Sequence, residues 1–396
     1  MKKQAQLQTL VDHRHAAVFA GLQYTSTDTP GISRRRVGKG FVYRDADGAR
    51  LTDAARLSHI RALAIPPGWS SVWICPDPDG HIQAVGLDEK GRKQYRYHPK
   101  FREVRDGLKF EHMIVFADAL PRLRHRVAAD MAASGLGRAK VLATVVHLLE
   151  TTMIRVGNEA YAKENKSYGL TTLRTRHVKI DGRELRFHFK GKSGKIWRLH
   201  VCDRRVARIV KSCQELPGQH LFQYIDEYGA PQSVTSADVN RYLKEVTGAD
   251  ITAKDFRTWT ATVLTAMALA EGEAAGVGAQ ARKNVTQAIV RVSSRLGNTP
   301  TICRKCYVHP EIVTAYLDGA LRLDVQPEID GPPREDQPLF SPQEAAVLSF
   351  LRARVTGAPT DRREPVENRQ GRAAPTPMSL RSDHRGQNTN PSIKAA

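Results

Sequence analysis

The hydrophobic period of the chain changes near Gly107, and this change decides which fold classes are possible. Before it, short apolar and aromatic runs are separated by turn residues, which predicts a hairpin over 40–51 and strands over 71–75, 81–87 and 93–98. After it, apolar residues recur every three to four positions, the spacing of helices. The sequence therefore predicts an α+β protein with a small strand-rich N-terminal lobe and a mainly α-helical domain.

The helical part contains one interruption that has the period of strands. A well-buried helix is predicted over 138–165, and strands over 178–180, 184–190 and 196–201 follow it. Every second residue of the middle strand is apolar, which predicts a three-stranded antiparallel sheet with one buried face. Helices are predicted to resume at 237–245, 261–275, 280–296, 301–318 and 342–353.

Composition divides the chain into five segments. The last of them is rich in Arg, Pro, Asn, Ser and Gln and nearly free of apolar residues, which is typical of disorder. A linker is predicted around 100–107, joining the two folded parts. The predicted segments are an N-terminal extension (1–30), a β-rich lobe (31–106), a mainly helical domain (107–325), a C-terminal helical extension (326–356) and a disordered basic tail (357–396).

The charge of the chain points to a polyanionic partner. Its 61 Lys and Arg against 41 Asp and Glu give a net charge of +20. Residues 357–396 hold seven basic and four acidic residues, so they carry +3 and leave +17 on the folded part. A charge of this size on a structured surface suits a protein that follows nucleic-acid phosphates, although solubility or location alone can also make a protein basic.

The cysteines and the hydropathy indicate the compartment. Five cysteines at irregular spacing do not form a disulfide framework, which argues for a reducing cytosolic compartment. No run approaches the roughly 18 apolar residues of a membrane span, and no apolar segment follows the first lysines as in a signal peptide. We therefore expect a cytoplasmic protein without a membrane partner.

Several familiar motifs are incomplete. GKS at 191–193 resembles the end of a phosphate-binding loop, but Arg186 stands where that motif needs its first glycine. Cys303 and Cys306 have the spacing of a zinc ligand pair, but no second pair lies within reach in the sequence. The sequence thus predicts neither a cofactor nor a metal, and chemistry on a phosphate would depend on cations and hydrogen-bond donors of the chain.

Four side chains are candidates for that chemistry, and each also has an ordinary structural explanation. Arg155 interrupts an apolar helix and Arg257 stands between aromatic residues at the entry to another, so each needs an anionic partner, either a ligand or a structural carboxylate. Lys192 occupies the turn between two predicted strands, where most lysines are simply solvated. Tyr307 follows two cations on a predicted helix, and a tyrosine in that setting is commonly a packing residue.

The segments around these residues, taken in order, resemble the type IB DNA topoisomerases of bacteria and poxviruses. Order and spacing together make the resemblance specific, and it covers roughly residues 30–325. Its motifs in the larger domain are IRVGNEAYAKEN (154–165), YGLTTL (168–173), FKGKSGK (189–195), KDFRTW (254–259) and GNTPTICRKCY (297–307). Those similar to the family's amino-terminal lobe are IPPGW (65–69), GHIQAVG (80–86) and GRKQYRYH (91–98).

The resemblance implies a catalytic set and its chemistry. The family's tyrosine, two arginines, hairpin lysine, and histidine or asparagine before the tyrosine correspond here to Tyr307, Arg155, Arg257, Lys192 and Asn298. Asparagine replaces the histidine of viral and nuclear members, so this donor carries no charge and its contact should depend less on pH. Tyr307 would attack a phosphorus of duplex DNA, and Lys192 would protonate the departing 5′-oxygen.

The resemblance also implies DNA contacts outside the catalytic set. In the last strand of the N-terminal lobe, amide and phenol groups alternate with cations, which suits base edges and phosphates, although ordinary sheet packing explains the same alternation. The DNA-binding candidates are Arg92, Lys93, Gln94, Tyr95, Tyr97, Tyr161 and Lys254.

The implied function is relaxation of supercoiled duplex DNA by a monomeric clamp associated with the bacterial nucleoid. One strand would be cut transiently through a 3′-phosphotyrosyl intermediate, without ATP or a metal, with 31–106 as the clamp lobe and 107–325 as the catalytic domain. A tyrosine site-specific recombinase is the nearest alternative, but recombinases usually have a histidine three residues before the second arginine, where this chain has Lys254. The other alternative is a non-catalytic DNA clamp that uses only the basic surface.

Overall fold

Three antiparallel sheets and twelve α-helices make up the parts of the chain that the structure describes. The structure, a computed structural model, describes residues 13–271, 278–325 and 340–356, all within one compact unit that spans Met1–Ala358. The predicted disordered tail and the first twelve residues of the predicted N-terminal extension lie outside the described residues. The five segment boundaries stay predictions.

The N-terminal sheet has five antiparallel strands in the order β2-β1-β3-β4-β5. Its buried face packs against the helix α2 (Ala54–Ala62), with Ile32, Ile60 and Ile74 in the small core between them. The third, fourth and fifth strands confirm the strands predicted from the alternating sequence. The strands are β1 Ile32–Val37, β2 Gly40–Arg44, β3 Ser70–Ile74, β4 Ile82–Leu87 and β5 Lys93–Tyr97.

The predicted hairpin over 40–51 is confirmed as a short one. Residues 49–51 return antiparallel to β2 through a bridge between Arg44 and Arg50 and a hydrogen bond from the Leu51 N–H to the Tyr43 carbonyl at 2.9 Å. β2 also pairs with β1, which the sequence does not predict. The Asp45 carboxylate accepts the backbone N–H of Ala49 at 2.8 Å and closes this segment as a turn. The sequence does not predict β1, because three consecutive arginines conceal its alternation.

A helix of 34 residues, α3 (Pro99–Ala132), follows β5 directly. The predicted linker around 100–107 is therefore wrong, since these residues are the first turns of this helix. Pro99 occupies the first helical position, where its missing N–H is not needed. The His98 Nδ1 accepts the N–H of Lys100 at 3.2 Å and caps the start of the helix.

The helix α3 belongs to two hydrophobic clusters. Near its start, Phe101 packs with Leu22 and with the short helix α1 (His13–Phe19). From Phe110 to Met131 its buried side chains are part of the main core. One continuous helix thus passes from the N-terminal part of the chain into the main core.

The main core is built mainly from helices. Two predicted helices are each divided, because the one over 138–165 breaks after Thr152 and the one over 301–318 breaks around Tyr307. The helix that follows the second sheet, Arg204–Gln214, is not predicted from the sequence. The helices are α4 Arg138–Thr152, α5 Glu159–Asn165, α6 Arg204–Gln214, α7 Ser236–Thr247, α8 Ala253–Ala270, α9 Ala279–Leu296, α10 Pro300–Cys306, α11 Pro310–Leu317 and α12 Pro342–Thr356.

The predicted three-stranded sheet is confirmed, with the order β6-β7-β8. Leu185, Phe187 and Phe189 are buried as their alternation requires, and they join the main core. The predicted α+β class is confirmed as well. The strands are β6 Val178–Asp181, β7 Glu184–Lys190 and β8 Ile196–Cys202, and a separate two-stranded ribbon consists of β9 Gln223–Ile225 and β10 Pro231–Ser233.

Candidate active site

Arg155 lies on a loop that begins where α4 ends. Met153 closes α4 in the left-handed conformation (φ 58°), so Arg155 is not in a helix as the sequence predicts. The loop is held by Leu170, whose backbone N–H donates to the Arg155 carbonyl at 2.9 Å. Gly169 permits this approach, because a Cβ there would lie 2.5 Å from the same carbonyl oxygen. Two neighbouring sequence motifs therefore form one unit that orients Arg155.

Arg257 joins the ends of two helices through backbone carbonyls. It lies in the second turn of α8 and is 3% exposed. Its Nη1 donates to the carbonyl of Met153 at the end of α4, and its Nη2 donates to the carbonyl of Leu296 at the end of α9, at 2.7 Å. Within the described residues no salt bridge involves Arg257 or Arg155, so a structural carboxylate does not balance either charge.

Asn298 follows directly on α9 and contacts Arg155. Gly297 ends that helix with a φ of +66°, and a Cβ at this position would lie 2.8 Å from the Trp197 side chain. The Arg155 Nη2 donates to the side-chain oxygen of Asn298 and, at 3.4 Å, to the carbonyl of Gly297. The amide nitrogen of Asn298 takes no part in this contact and stays available as a donor.

Two buried donors in this region, the Asn298 Nδ2 and the Arg257 Nε, have no hydrogen-bond partner among the residues that the structure describes. Buried donors in proteins are normally satisfied, so unpaired ones need an explanation. Both belong to side chains whose other polar atoms are already fixed by the chain. They are therefore positioned to bind an acceptor that is not part of the protein.

Tyr307 stands at the C-terminal end of α10, one residue beyond the helix in which the sequence places it. Thr262 on α8 fixes its backbone. The Thr262 hydroxyl accepts the N–H of His309 at 3.0 Å, and its one proton is shared between the carbonyls of Thr258 at 2.9 Å and Tyr307 at 3.2 Å. The centroid of the Tyr307 ring lies 5.3 Å from the guanidinium carbon of Arg257. We call Tyr307, Arg257, Arg155 and Asn298 the Tyr307 cluster.

The guanidinium groups of the Tyr307 cluster are poorly solvated and close to each other. Burial, and then the charge of Arg155, lower the pKa of Arg257 to about 10. Burial also lowers the pKa of Arg155, while the charge and hydrogen bonding of Tyr307 act in the opposite direction on both arginines. Both groups remain charged at neutral pH, and an anion between them would relieve their repulsion.

Lys192 lies in the turn between β7 and β8, as predicted. Its Nζ lies 6.0 Å from the ring centroid of Tyr161, and in the described part of the chain no hydrogen bond joins it to the Tyr307 cluster. The hairpin is attached to the site by a different lysine. The Lys195 Nζ donates to the Ser294 carbonyl at 3.2 Å, in the last turn of α9.

Two of the DNA-binding candidates, Arg92 directly before β5 and Gln94 on β5, share one carboxylate. Asp88 pairs with Arg92 at 2.8 Å and accepts the side-chain amide of Gln94 at 3.0 Å. The hydrogen bonds from Arg92 hold the pKa of Asp88 at about 2. Tyr95 and Tyr97 stack with their ring centroids 5.8 Å apart, and Tyr95 is 42% exposed.

The three remaining DNA-binding candidates lie on different elements. Lys93 begins β5 and is exposed. Tyr161 lies on α5 beside Lys192. Lys254 is exposed in the first turn of α8, one turn before Arg257.

One contact to the peptide bond before Tyr307 is not predicted from the sequence. Lys109 on α3 donates through its Nζ to the carbonyl of Cys306, the residue before Tyr307. The two partners are 197 positions apart in the chain. Lys109 belongs to no sequence motif, so no local signal identifies it.

Within the residues that the structure describes, no group of three or more His, Cys, Asp or Glu side chains could hold a metal ion, and Cys303 and Cys306 are free thiols. Over the same ranges, no helix combines the length and the apolar character that a membrane crossing requires.

Two protein-family models match the chain. Residues 98–325 match the catalytic core of eukaryotic DNA topoisomerase I, and residues 40–88 match the N-terminal domain of bacterial DNA topoisomerase IB. The first match contains the whole Tyr307 cluster and Lys192. The second covers most of the N-terminal sheet.

Individual relatives agree with the family models. The chain is 34% identical over 298 residues to DNA topoisomerase 1B of Acanthamoeba polyphaga mimivirus, covering 73% of this chain and 88% of that protein. It is 24% identical over 238 residues to DNA topoisomerase 1B of vaccinia virus (strain Copenhagen), covering 59% of this chain and 72% of that protein. DNA topoisomerase I of monkeypox virus has the same identity and coverage.

Proposed function

The chain belongs to the type IB DNA topoisomerase family, and from that premise we propose how it changes the topology of DNA. It is an isomerase whose substrate is DNA. The proposed reaction relaxes supercoiled duplex DNA by cutting one strand transiently and resealing it. Family membership sets aside the tyrosine recombinase and the non-catalytic clamp as alternatives.

The proposal depends on one observation, the convergence of donors on Tyr307. Two guanidinium groups without carboxylate partners lie against this tyrosine, beside the unpaired donors Asn298 Nδ2 and Arg257 Nε. A phosphodiester carries the negative charge and the oxygen acceptors that such a set lacks. This supports Tyr307 as the nucleophile and the rest of the Tyr307 cluster as the groups that hold the phosphate.

In the proposed reaction, the Tyr307 oxygen attacks a backbone phosphorus in line while the bond from phosphorus to the 5′-oxygen breaks. Negative charge grows on the non-bridging oxygens, and Arg155, Arg257 and Asn298 stabilise it. Donors of this kind contribute about 2.7–4 kcal/mol each. The product is a 3′-phosphotyrosyl ester and a 5′-hydroxyl. Because the ester retains the energy of the original phosphodiester, the reverse attack reseals the strand without ATP.

Two protons move in this step. The phenol of Tyr307 releases one to water on attack, and the 5′-oxygen gains one as it leaves. We assign the second proton to Lys192, on the family resemblance and on the position of its hairpin. The Lys195 contact to Ser294 holds that hairpin against the last turn of α9, directly before Asn298.

The N-terminal sheet would hold the other side of the duplex, in a monomeric clamp within the bacterial cytoplasm. The exposed Lys93 and Tyr95 would meet the DNA directly. Arg92 and Gln94, which share Asp88, would exchange this carboxylate for phosphates or base edges. Tyr97, Tyr161 and Lys254 are proposed to complete the interface.

Plasmid relaxation tests this function directly. Positively and negatively supercoiled plasmids are incubated with the protein in EDTA without ATP, and the topoisomers are separated on a gel. We expect relaxed products from both plasmids, and none with Tyr307→Phe as the matched control. A strict requirement for magnesium or ATP would reject the mechanism.

A further inference from the structure

A cationic cavity of about 540 Å³ lies between the start of α3, the first turn of α8 and the end of α10. It is separate from the Tyr307 cluster, although it reaches Cys306. One acidic side chain, Asp106, lines it. The cations that line it are Arg102, Arg105, Lys109, Lys254 and Lys305.

The charges in this cavity are poorly balanced by the chain. Asp106 lies 3.4 Å from Arg105, and that is the cavity's one carboxylate. Over the described residues, Arg102, Lys254 and Lys305 form no salt bridge. With five cations and one carboxylate, the lining carries a net charge of +4. Charges crowded in this way attract a compact anion.

The pKa of Lys109 reflects both its burial and the neighbouring positive charge. It is half-buried, and its Nζ donates to the Cys306 carbonyl, which carries no full charge. Burial, and then the charge of Lys254, lower the pKa of Lys109 to about 8. A phosphate in the cavity would offset both effects, since it would bring a negative charge and oxygen acceptors within reach of the ammonium groups.

The cavity adjoins both elements that carry the proposed catalytic residues, the end of α10 with Tyr307 and the helix α8 with Arg257. Lys305 lies two residues before Tyr307, and Lys109 holds the carbonyl of the residue between them. Lys254 lies one helical turn before Arg257 on α8. Each strand of duplex DNA carries a phosphate for about every 3.4 Å along the axis, so a strand held at Tyr307 brings further phosphates close by.

We propose that this cavity binds a backbone phosphate of the DNA substrate, next to the phosphate that is cleaved, through Lys109, Lys254 and Lys305. The inference rests on the proposed function, because it requires DNA at Tyr307. A phosphate held here contacts the protein segment directly before Tyr307 through Lys109 and Lys305, and it contacts the helix that carries Arg257 through Lys254. Correctly seated DNA thereby helps to position both groups for the reaction.

Replacing single DNA phosphates by uncharged methylphosphonates tests whether the cavity binds one of them. The full chain with Tyr307→Phe is titrated with an oligonucleotide duplex whose cleavage position the wild-type protein has mapped. A single methylphosphonate replaces one phosphate at a time around that position. At one neighbouring position we expect about 10-fold weaker binding, the size of one lost charged contact. In the same chain with Lys254→Gln and Lys305→Gln added, that replacement should change binding less than about 2-fold.

The matched control is Lys244→Gln. Lys244 is an exposed lysine that pairs with Asp250 at 3.4 Å and does not line the cavity. This variant should keep the full methylphosphonate effect. The proposal is overturned if, at every position, a methylphosphonate weakens binding by the same factor whether or not Lys254 and Lys305 are present.

Inorganic pyrophosphate tests the other source of a phosphate group. Without DNA, millimolar pyrophosphate should raise the thermal unfolding midpoint only slightly, because a free anion lacks the contacts that hold the rest of a DNA strand. The DNA assignment would be overturned by two results together. Pyrophosphate would raise the unfolding midpoint strongly, in a way that Lys254→Gln and Lys305→Gln abolish, and no single methylphosphonate would have an effect on binding that depends on these two lysines. The ligand would then be a free phosphate compound. Covalent adduct formation by the wild-type chain is the separate test of the proposed function. If the covalent adduct forms but no phosphate shows an effect that depends on Lys254 and Lys305, only the role of the cavity is refuted.

Discussion

Arg257→Lys should separate the structural role of this arginine from its catalytic role. Two of its guanidinium nitrogens reach the carbonyls of Met153 and Leu296, at the ends of two different helices. A lysine ammonium is a single point of charge, so it can reach one carbonyl but cannot bridge both and still face Tyr307. The variant keeps the positive charge and leaves one buried carbonyl without its charged donor.

The expected effect on stability follows from the lost hydrogen bonds. A hydrogen bond to a charged group contributes about 1.5–3 kcal/mol, and at 3% exposure water does not replace it. Arg257→Lys should therefore lower the free energy of unfolding by about 1.5–3 kcal/mol. Arg257→Ala removes both bonds and should lower it by about 3–6 kcal/mol. Since domains are stable by about 5–15 kcal/mol, the lysine variant should remain folded.

The expected effect on catalysis is larger than the stability change explains. A donor that no longer faces the non-bridging oxygens should slow strand cleavage by roughly 10²–10³-fold in a fully folded sample. Urea unfolding gives the stability, and single-turnover formation of the covalent adduct gives the cleavage rate. Arg208→Lys, at an exposed position on α6, is the matched control and should stay within about 0.5 kcal/mol of wild type.

The two measurements can refute the reasoning independently. Wild-type stability in Arg257→Lys would show that the carbonyl contacts do not hold the helix ends together. A wild-type cleavage rate in the same variant would remove this arginine from the group that stabilises the transition state. A loss of cleavage that disappears when the rate is corrected for the unfolded fraction would assign Arg257 a structural role alone.

Three further predictions concern other contacts. Tyr307→Phe should abolish the SDS-stable adduct while DNA affinity stays nearly unchanged, and a remaining adduct would mean that another residue is the nucleophile. Lys192→Ala should cleave slowly on ordinary DNA and recover much of its rate on a substrate with a 5′-bridging sulfur, a better leaving group; equal recovery by the arginine variants would deny Lys192 the role of general acid. Glu344→Ala removes the carboxylate that accepts from Arg124 (2.8 and 2.9 Å) and from the Trp259 indole (2.9 Å), so urea unfolding should show a loss of about 3–5 kcal/mol. A loss under about 1 kcal/mol would mean that Glu150, the second partner of Arg124, is sufficient.

Much of the fold was predictable because burial leaves a local record in the sequence. The alternation of Leu185, Phe187 and Phe189 predicts the second sheet, and the structure confirms it. The failures occur where another local signal conceals that record. The arginines of β1 conceal a strand, and a run of charged residues after Pro99 resembles a linker although it begins a long helix.

The candidate site was predictable in its residue types but not in its geometry. The motifs name Tyr307, Arg155, Arg257 and Asn298, and the structure brings these four together. No motif indicates that the Arg257 guanidinium uses backbone carbonyls. Nor does any indicate that Asn298 accepts from Arg155 and keeps its amide nitrogen as an unpaired donor.

The physical reason is the distance along the chain between the partners. Hydrophobic period and turn chemistry act over a few residues, so they are readable from neighbouring letters. Arg257 reaches a carbonyl 104 positions away and Lys109 one 197 positions away, and both contacts exist only because the tertiary fold brings the end of one helix against the side of another. The left-handed turn at Met153, which ends α4 and moves Arg155 out of the helix, likewise depends on the packing of the loop that follows against Gly169.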